Sequence, residues 1–299
     1  MAYKNIALVG ANGNIGKIIL DALVASSTFN ITVLSRKESA ATFPSGITVR
    51  KADFSDAADL EAALRGQEAV ISAVGATAFG EQKSIVDAAI HAGVQRFIPS
   101  EFSASSQDEA VLKLLPLFGQ KKELIEYLKI KQSDGLSWTG IATGPLLDWS
   151  LGNSFLEFDI ARRTATIWDD GNRSFTATNE KQLGRAVASV LQHPIETSNK
   201  FLYVASVETT QNDLLSALER EMGAWTVNKT TTEEQVSEGI RKLGAGDFSG
   251  AFALVRATTF GSTPGLRPNF VKDLGLANDV LGLELETVEG TVKRVVLGK

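Results

Sequence analysis

The first sixteen residues constrain the chain more than any other stretch. Tyr3 to Val9 is a short apolar run with β-branched character, and it feeds directly into Gly10-Ala11-Asn12-Gly13-Asn14-Ile15-Gly16. Lys17 to Ser26 follows, with Ile18, Ile19, Ala22 and Leu23 at helical spacing. Strand, glycine turn and helix in succession are the context that a dinucleotide-binding fingerprint needs. Gly10 permits the tight turn off the strand, Gly13 lets the backbone approach a pyrophosphate, and Gly16 lets the helix pack against the strand. The helix start offers free N–H groups and the positive end of its dipole to phosphates. Asn12, Asn14 and Ile15 therefore join the three glycines as candidate cofactor contacts. The spacing is G-x-x-G-x-x-G, one residue longer in its first gap than the usual pattern. The competing reading is a plain strand–helix connection, and the downstream chain favours the dinucleotide.

Ile31 to Leu34 reads as a second strand, ending in Ser35-Arg36-Lys37. In a dinucleotide-binding half, this strand end meets the adenosine ribose. An acidic residue there bonds a free 2′-hydroxyl, whereas an arginine accepts a 2′-phosphate. Arg36 occupies the position, Lys37 follows it, and Glu38 comes only after both. The expectation is NADPH over NADH, against the alternative of a solvated Arg-Lys pair. Ile47 to Lys51 is a third strand, and Asp53 and Phe54 after it are placed to meet adenine. Glu68 to Ala73 is a fourth, closing on Val74 and Gly75, which should pass along the cofactor. The pattern Gln82 to Ala92 predicts a helix, and Arg96 to Pro99 a fifth strand. Such alternation indicates an α/β fold of the Rossmann type, a doubly wound parallel sheet.

The run Gly93-Val94-Gln95-Arg96-Phe97-Ile98-Pro99-Ser100-Glu101-Phe102, with Ser84-Ile85-Val86-Asp87-Ala88-Ala89 before it, is distinctive. It closely resembles the isoflavone-reductase-like group, which sits with the NmrA-like proteins as an atypical branch of the short-chain dehydrogenases. The resemblance is strong over the first half of the chain and looser over the second. It implies an NADPH-dependent reductase of small aromatic or phenolic compounds. Some NmrA-like relatives bind the dinucleotide without known turnover and act as regulators, so that outcome stays open. A redox-neutral isomerase or cyclase on the same fold is a third.

Independently of the resemblance, Pro99-Ser100-Glu101-Phe102 leaves the carboxyl end of a central strand, where open α/β sheets bind ligands. Ser100 could orient a cofactor or substrate oxygen, and Phe102 could wall the nicotinamide and the substrate. Glu101 reads as structural, and each of the three stays open between site and scaffold. Helix Gly119 to Lys131 carries Lys121 and Lys122. The resemblance places a catalytic lysine near the start of this helix, and Lys121, with Leu124 and Leu128 at i+3 and i+7, fits the register better than Lys122. A lysine there can bond the nicotinamide ribose and act as general acid.

Tyr127 and Lys131 spell the Tyr-x-x-x-Lys pair of ordinary short-chain dehydrogenases. Lys131 lies about 15 Å further along the helix than Lys121, at the wrong end of the sheet, so the match is rejected. Leu136 to Ala142 is a sixth strand, ending in Thr143-Gly144-Pro145. Thr143 and Pro145 face the cleft, and Leu146, Trp149 and Phe155 are candidates for the substrate pocket.

Arg163 to Ile167 and Arg173 to Ala177 read as a hairpin around Asp169-Asp170-Gly171-Asn172, and Lys200 to Val204 as a further sheet strand. The expected organisation is an NADP-binding domain over residues 1–150, with later sheet strands from about 173–205. Residues 151–299 form an interwoven, smaller, α-rich substrate lobe. Net charge is −5, and no basic stretch exceeds two neighbours, which argues against nucleic-acid binding. Absence of cysteine excludes disulfides and thiolate metal sites, and two histidines leave little material for a metal cluster. With no long apolar run, the chain reads as cytoplasmic and free of membrane, a monomer or homodimer, with a small aromatic molecule as its partner.

Overall fold

The structure is a computed structural model that describes residues 2–298. In chain order the first half runs β1 (Asn5–Val9), α1 (Asn14–Ser26), β2 (Asn30–Arg36), β3 (Thr48–Ala52), α2 (Ala57–Leu64), β4 (Ala69–Ser72), α3 (Gln82–His91), β5 (Arg96–Ile98), α4 (Glu109–Leu114), α5 (Gly119–Ile130) and β6 (Ser137–Ala142). A 3₁₀ turn, Ala76–Glu81, joins β4 to α3. The second half adds α6 (Leu147–Gly152), β7 (Phe158–Asp159), β8 (Thr164–Trp168), β9 (Phe175–Ala177), α7 (Glu180–Gln192), β10 (Lys200–Tyr203), β11 (Val207–Thr209), α8 (Gln211–Met222), β12 (Thr226–Thr230), α9 (Thr232–Gly244) and α10 (Ser249–Phe260). It closes with α11 (Phe270–Asp273), α12 (Asn278–Leu281) and α13 (Val288–Val296).

Seven strands form one parallel sheet in the order β10-β6-β5-β4-β1-β2-β3. The first six follow the doubly wound Rossmann order. Strands buried on both faces need continuous apolar runs, and Ile6 to Val9 and Ala69 to Ile71 are fully buried. On one face Ile19 and Leu23 of α1 pack with Leu183, Val187 and Leu191 of α7. On the other, Leu60 and Leu64 of α2, Ile85 of α3, and Leu124, Ile125 and Leu128 of α5 cover the sheet. α7 and β10 come from beyond residue 150, so the sheet and its covering layer draw on both halves of the chain.

The remaining residues build a lobe around Phe158, Trp168, Phe175, Leu214, Leu218 and Phe260. Beside its helices it holds a three-stranded sheet, β12-β8-β7, and a two-stranded one, β11-β9. The expected hairpin does not form: β8 pairs with β7 and β12, while β9 pairs with β11. The connecting residues serve other partners. Asp169 accepts from the backbone N–H and hydroxyl of Thr232 at the start of α9, and Asn212 of α8 binds the Asp170 carbonyl and Asn172. No helix among the described residues is long and apolar enough to cross a membrane.

Candidate functional site

The chain leaves β1 towards β2 and β3, then returns to β4 on the other side of β1. Carboxyl ends of strands at such a reversal open a crevice. A cavity of about 560 Å³ lies there, lined by Gly10 to Gly13, Val33 to Arg36, Phe54, Val74, Gly75 and Glu81. The glycine turn is shaped by close approach. Gly10 has φ +80°, and a Cβ on it would stand 2.5 Å from the Ala73 carbonyl oxygen. A Cβ on Gly16 would stand 2.0 Å from the Gly10 carbonyl oxygen. Only glycine lets the turn fold this tightly against β4 and the first turn of α1. Asn12 lines the same cavity, while Asn14 and Ile15 line the neighbouring one.

Arg36 projects into the first cavity at 5.9 Å from the Phe54 ring centroid. Its Nη2 donates to both carboxylate oxygens of Glu81, at 2.9 and 2.8 Å. Lys37 and Asp53 take different partners. Lys37 pairs with Asp59 at 2.6 Å, and the Asp53 carboxylate accepts from the Ser55 N–H and hydroxyl. The Ser55 bonds hold Asp53 below the usual carboxylate range. Neither lines the cavity.

Next to it lies an apolar cleft of about 200 Å³. Its walls are Asn14 and Ile15 from α1, Phe102 and Ser103 after β5, Pro145 and Leu146 after β6, Trp149 and Ser150 from α6, Phe155, and Val255, Thr258 and Thr259 from α10. Trp149 and Phe155 are stacked at 5.9 Å between centroids. No charged side chain lines it. Phe102, Pro145, Leu146, Trp149 and Phe155, anticipated from sequence, meet here with the α10 residues, which were not.

Ser100 and Thr143 sit behind the walls. The Ser100 hydroxyl donates to the Val74 carbonyl, and its N–H donates to Gln82 Oε1. The hydroxyl bond ties the β4 and β5 strand ends together, and the N–H bond ties the end of β5 to α3. Thr143 is fully buried, and its hydroxyl donates to the Gly144 carbonyl.

The two lysines at the start of α5 have opposite environments. Lys122 pairs with Glu109 at the surface. Lys121 is 4% exposed. Its Nζ donates to the Glu101 main-chain oxygen at 3.1 Å and to Ser103 Oγ at 2.9 Å. Phe118 and Phe79 flank the ammonium at 4.4 and 4.8 Å from their centroids. Burial lowers its pKa to about 8, with the Glu101 charge opposing. Lys121 touches the cleft through Ser103, whose hydroxyl accepts from Lys121 and donates to the Glu101 carbonyl. Ser103, Glu81 and Gln82 were not foreseen, because each acquires its role from a residue remote in sequence.

Tyr127 is partly buried, and its hydroxyl donates to Asp87 of α3. Lys131 pairs with Asp87 and Asp134. Both stand outside the two cavities.

The model of the NmrA-like family matches residues 2–261. "Oxidoreductase aprR" of Aspergillus flavus is 37% identical over 296 residues, covering 98% of this chain and 99% of the relative. A solved structure described as "AtPrR2 with NADP+ and (+)pinoresinol" superposes with a TM-score of 0.81 at 20% identity, covering 99% of both chains. "Crystal Structure of Isoflavone Reductase" superposes with a TM-score of 0.77 at 22% identity, covering 98% of this chain and 99% of the other.

Proposed function

The chain belongs to the NmrA-like family, and from that premise we propose that it is an NADPH-dependent oxidoreductase acting on a small aromatic or conjugated substrate. One observation carries the reading. The glycine cradle and the uncharged aromatic cleft share a wall, the start of α1, with Gly10 to Gly13 on one side and Asn14 and Ile15 on the other. The 37% identity to a full-length oxidoreductase supports it.

The residues present suit the dinucleotide. Gly10 and Gly16 leave the space that a side chain would fill, and the N–H groups at the start of α1 suit a pyrophosphate. Arg36 offers its guanidinium to a 2′-phosphate, and Phe54 an aromatic face to adenine. When bound, the cofactor supplies the hydride.

The chain supplies orientation and a proton. The apolar walls exclude water from a flat substrate and align it against Asn14 and Ile15. Lys121 Nζ is the acid: it holds a proton at Ser103 Oγ, at the edge of the cleft, where an oxygen gaining negative charge can draw on it. A pKa near 8 keeps Lys121 mostly protonated at neutral pH yet weakens its hold on the proton, which suits general acid catalysis.

The test is a titration with NADPH and NADH, followed by absorbance of the reduced cofactor against a panel of isoflavones, lignan precursors and enones. Support is substrate-dependent oxidation by wild type that Lys121→Ala loses while still binding NADPH. Binding without oxidation across the panel points instead to a dinucleotide-binding regulator or a redox-neutral enzyme.

A further inference from the structure

Glu101 stands out among the buried groups that the proposed chemistry does not use. It is 1% exposed, neither of its carboxyl oxygens has a partner at hydrogen-bond distance, and the nearby Ser106 hydroxyl gives its charged form only weak support. A buried carboxylate without hydrogen bonds or a counter-charge is strongly disfavoured. Among the described residues Lys121 is the one cation acting on it. The converse holds too. The other neighbours of the Lys121 ammonium are neutral: a main-chain oxygen, the Ser103 hydroxyl and two phenyl rings.

The remaining charged groups on the surrounding segments face elsewhere. On α4 and α5, Glu109 and Lys122 pair with each other. Asp108 faces Arg267, and Glu81 of the 3₁₀ turn holds Arg36. The Tyr203 hydroxyl meets Ser105.

We infer that Glu101 is the positioning residue for Lys121, its carboxylate being, among the described residues, the sole counter-charge that keeps the Lys121 ammonium protonated at Ser103. The arrangement follows from local sequence. The Glu101 main-chain oxygen anchors Nζ, and the charge of its buried carboxylate acts on the ammonium from beyond direct contact. Burial raises the Glu101 carboxyl to about 7, against the pull of Lys121. The two groups therefore titrate as a pair. The consequence for turnover rests on the reading of Lys121 as proton donor; the pairing itself does not.

The deciding experiment is an NMR titration of the lysine Cε and Nζ resonances in the ligand-free protein, with Lys121 assigned by its loss in Lys121→Arg. The wild-type midpoint is expected near 8. Glu101→Gln keeps the shape and removes the charge, so the Lys121 midpoint should fall, with a change in protonation constant of about tenfold or more. An unchanged or raised midpoint overturns the inference. If Glu101→Gln fails to fold, Glu101→Asp retracts the same charge by one methylene and should lower the midpoint by less; no change there is equally fatal.

A kinetic arm separates this from the proposed function. The alkaline limb of kcat/KM should move down with the midpoint in Glu101→Gln, while the NADPH Kd stays the same. A shifted midpoint in a protein that turns over nothing leaves the pairing standing and sinks the reductase. Turnover with an unmoved midpoint does the reverse.

Discussion

Cofactor preference rests on one exchange of partners at Arg36, and two substitutions should move it in opposite directions. Arg36 Nη2 is held by the Glu81 carboxylate, with the two side chains 55% and 41% exposed. An ion pair so exposed contributes about 0–1 kcal/mol. A hydrogen bond from a guanidinium to a phosphate is charge-assisted and contributes about 1.5–3 kcal/mol. Exchanging one partner for the other leaves roughly 0.5–3 kcal/mol in favour of a 2′-phosphate, about 2- to 150-fold in affinity.

Arg36→Ala should therefore weaken NADPH by about that factor and leave NADH nearly unchanged. Glu81→Gln removes the competing carboxylate and a like charge beside the phosphate, so it should tighten NADPH up to about fivefold. Calorimetric titration of both cofactors against wild type and the two variants measures this. Repeating it at higher salt should narrow the gap, since exposed charges are screened. Equal losses for NADPH and NADH in Arg36→Ala would refute the assignment of Arg36. Weaker NADPH binding by Glu81→Gln would refute the competition.

Three further outcomes are expected. Gly16→Ala places a Cβ 2.0 Å from the Gly10 oxygen and 2.7 Å from the Ala11 Cα; both are backbone atoms that cannot swing aside. The cost should reach or exceed the ordinary overpacking range of about 1–3 kcal/mol, seen as a lower urea midpoint together with lost dinucleotide binding. Lys121 is lowered to about 8 from 10.5, so the unfolded chain binds more protons between those values. Its burial penalty is thus full below pH 8 and is relieved as pH rises towards 10.5. Added to Glu101→Gln, which removes the counter-charge, Lys121→Met should raise Tm at pH 7, with a gain that shrinks towards pH 10; a gain that grows would contradict the burial argument. Phe155→Ala removes one wall of the cleft and its contact with Trp149. It should raise KM for a small aromatic substrate about 2- to 10-fold, from an aromatic contact of about 0.5–1.5 kcal/mol, without changing NADPH affinity.

Some of this was legible because its cause is local. Parallel strands covered on both faces must be short, apolar and separated by helices, so the central strands can be read from runs such as Ile6 to Val9 and Ile31 to Leu34. Gly10, Gly13 and Gly16 announce the cradle because backbone proximity admits no side chain. The edge strand β12 was invisible for the opposite reason. Thr226 to Lys229 are exposed, so the strand has no apolar pattern to show. Without it β8 looked for its partner in the nearest apolar run and suggested a hairpin.

By itself the sequence determined the sheet, its order of elements, the glycine turn and the arginine at the end of β2, since each depends on residues within a few positions of one another. The apolar register of α5 already favoured Lys121 over Lys122, and the tertiary structure supplied what buries it. The tertiary structure alone brought α10 to the cleft across more than a hundred residues from α6. It alone set Glu101 beside Lys121 and Glu81 against Arg36. Charges meet there through the folding of separate loops onto a common sheet edge, and burial sets their proton affinities.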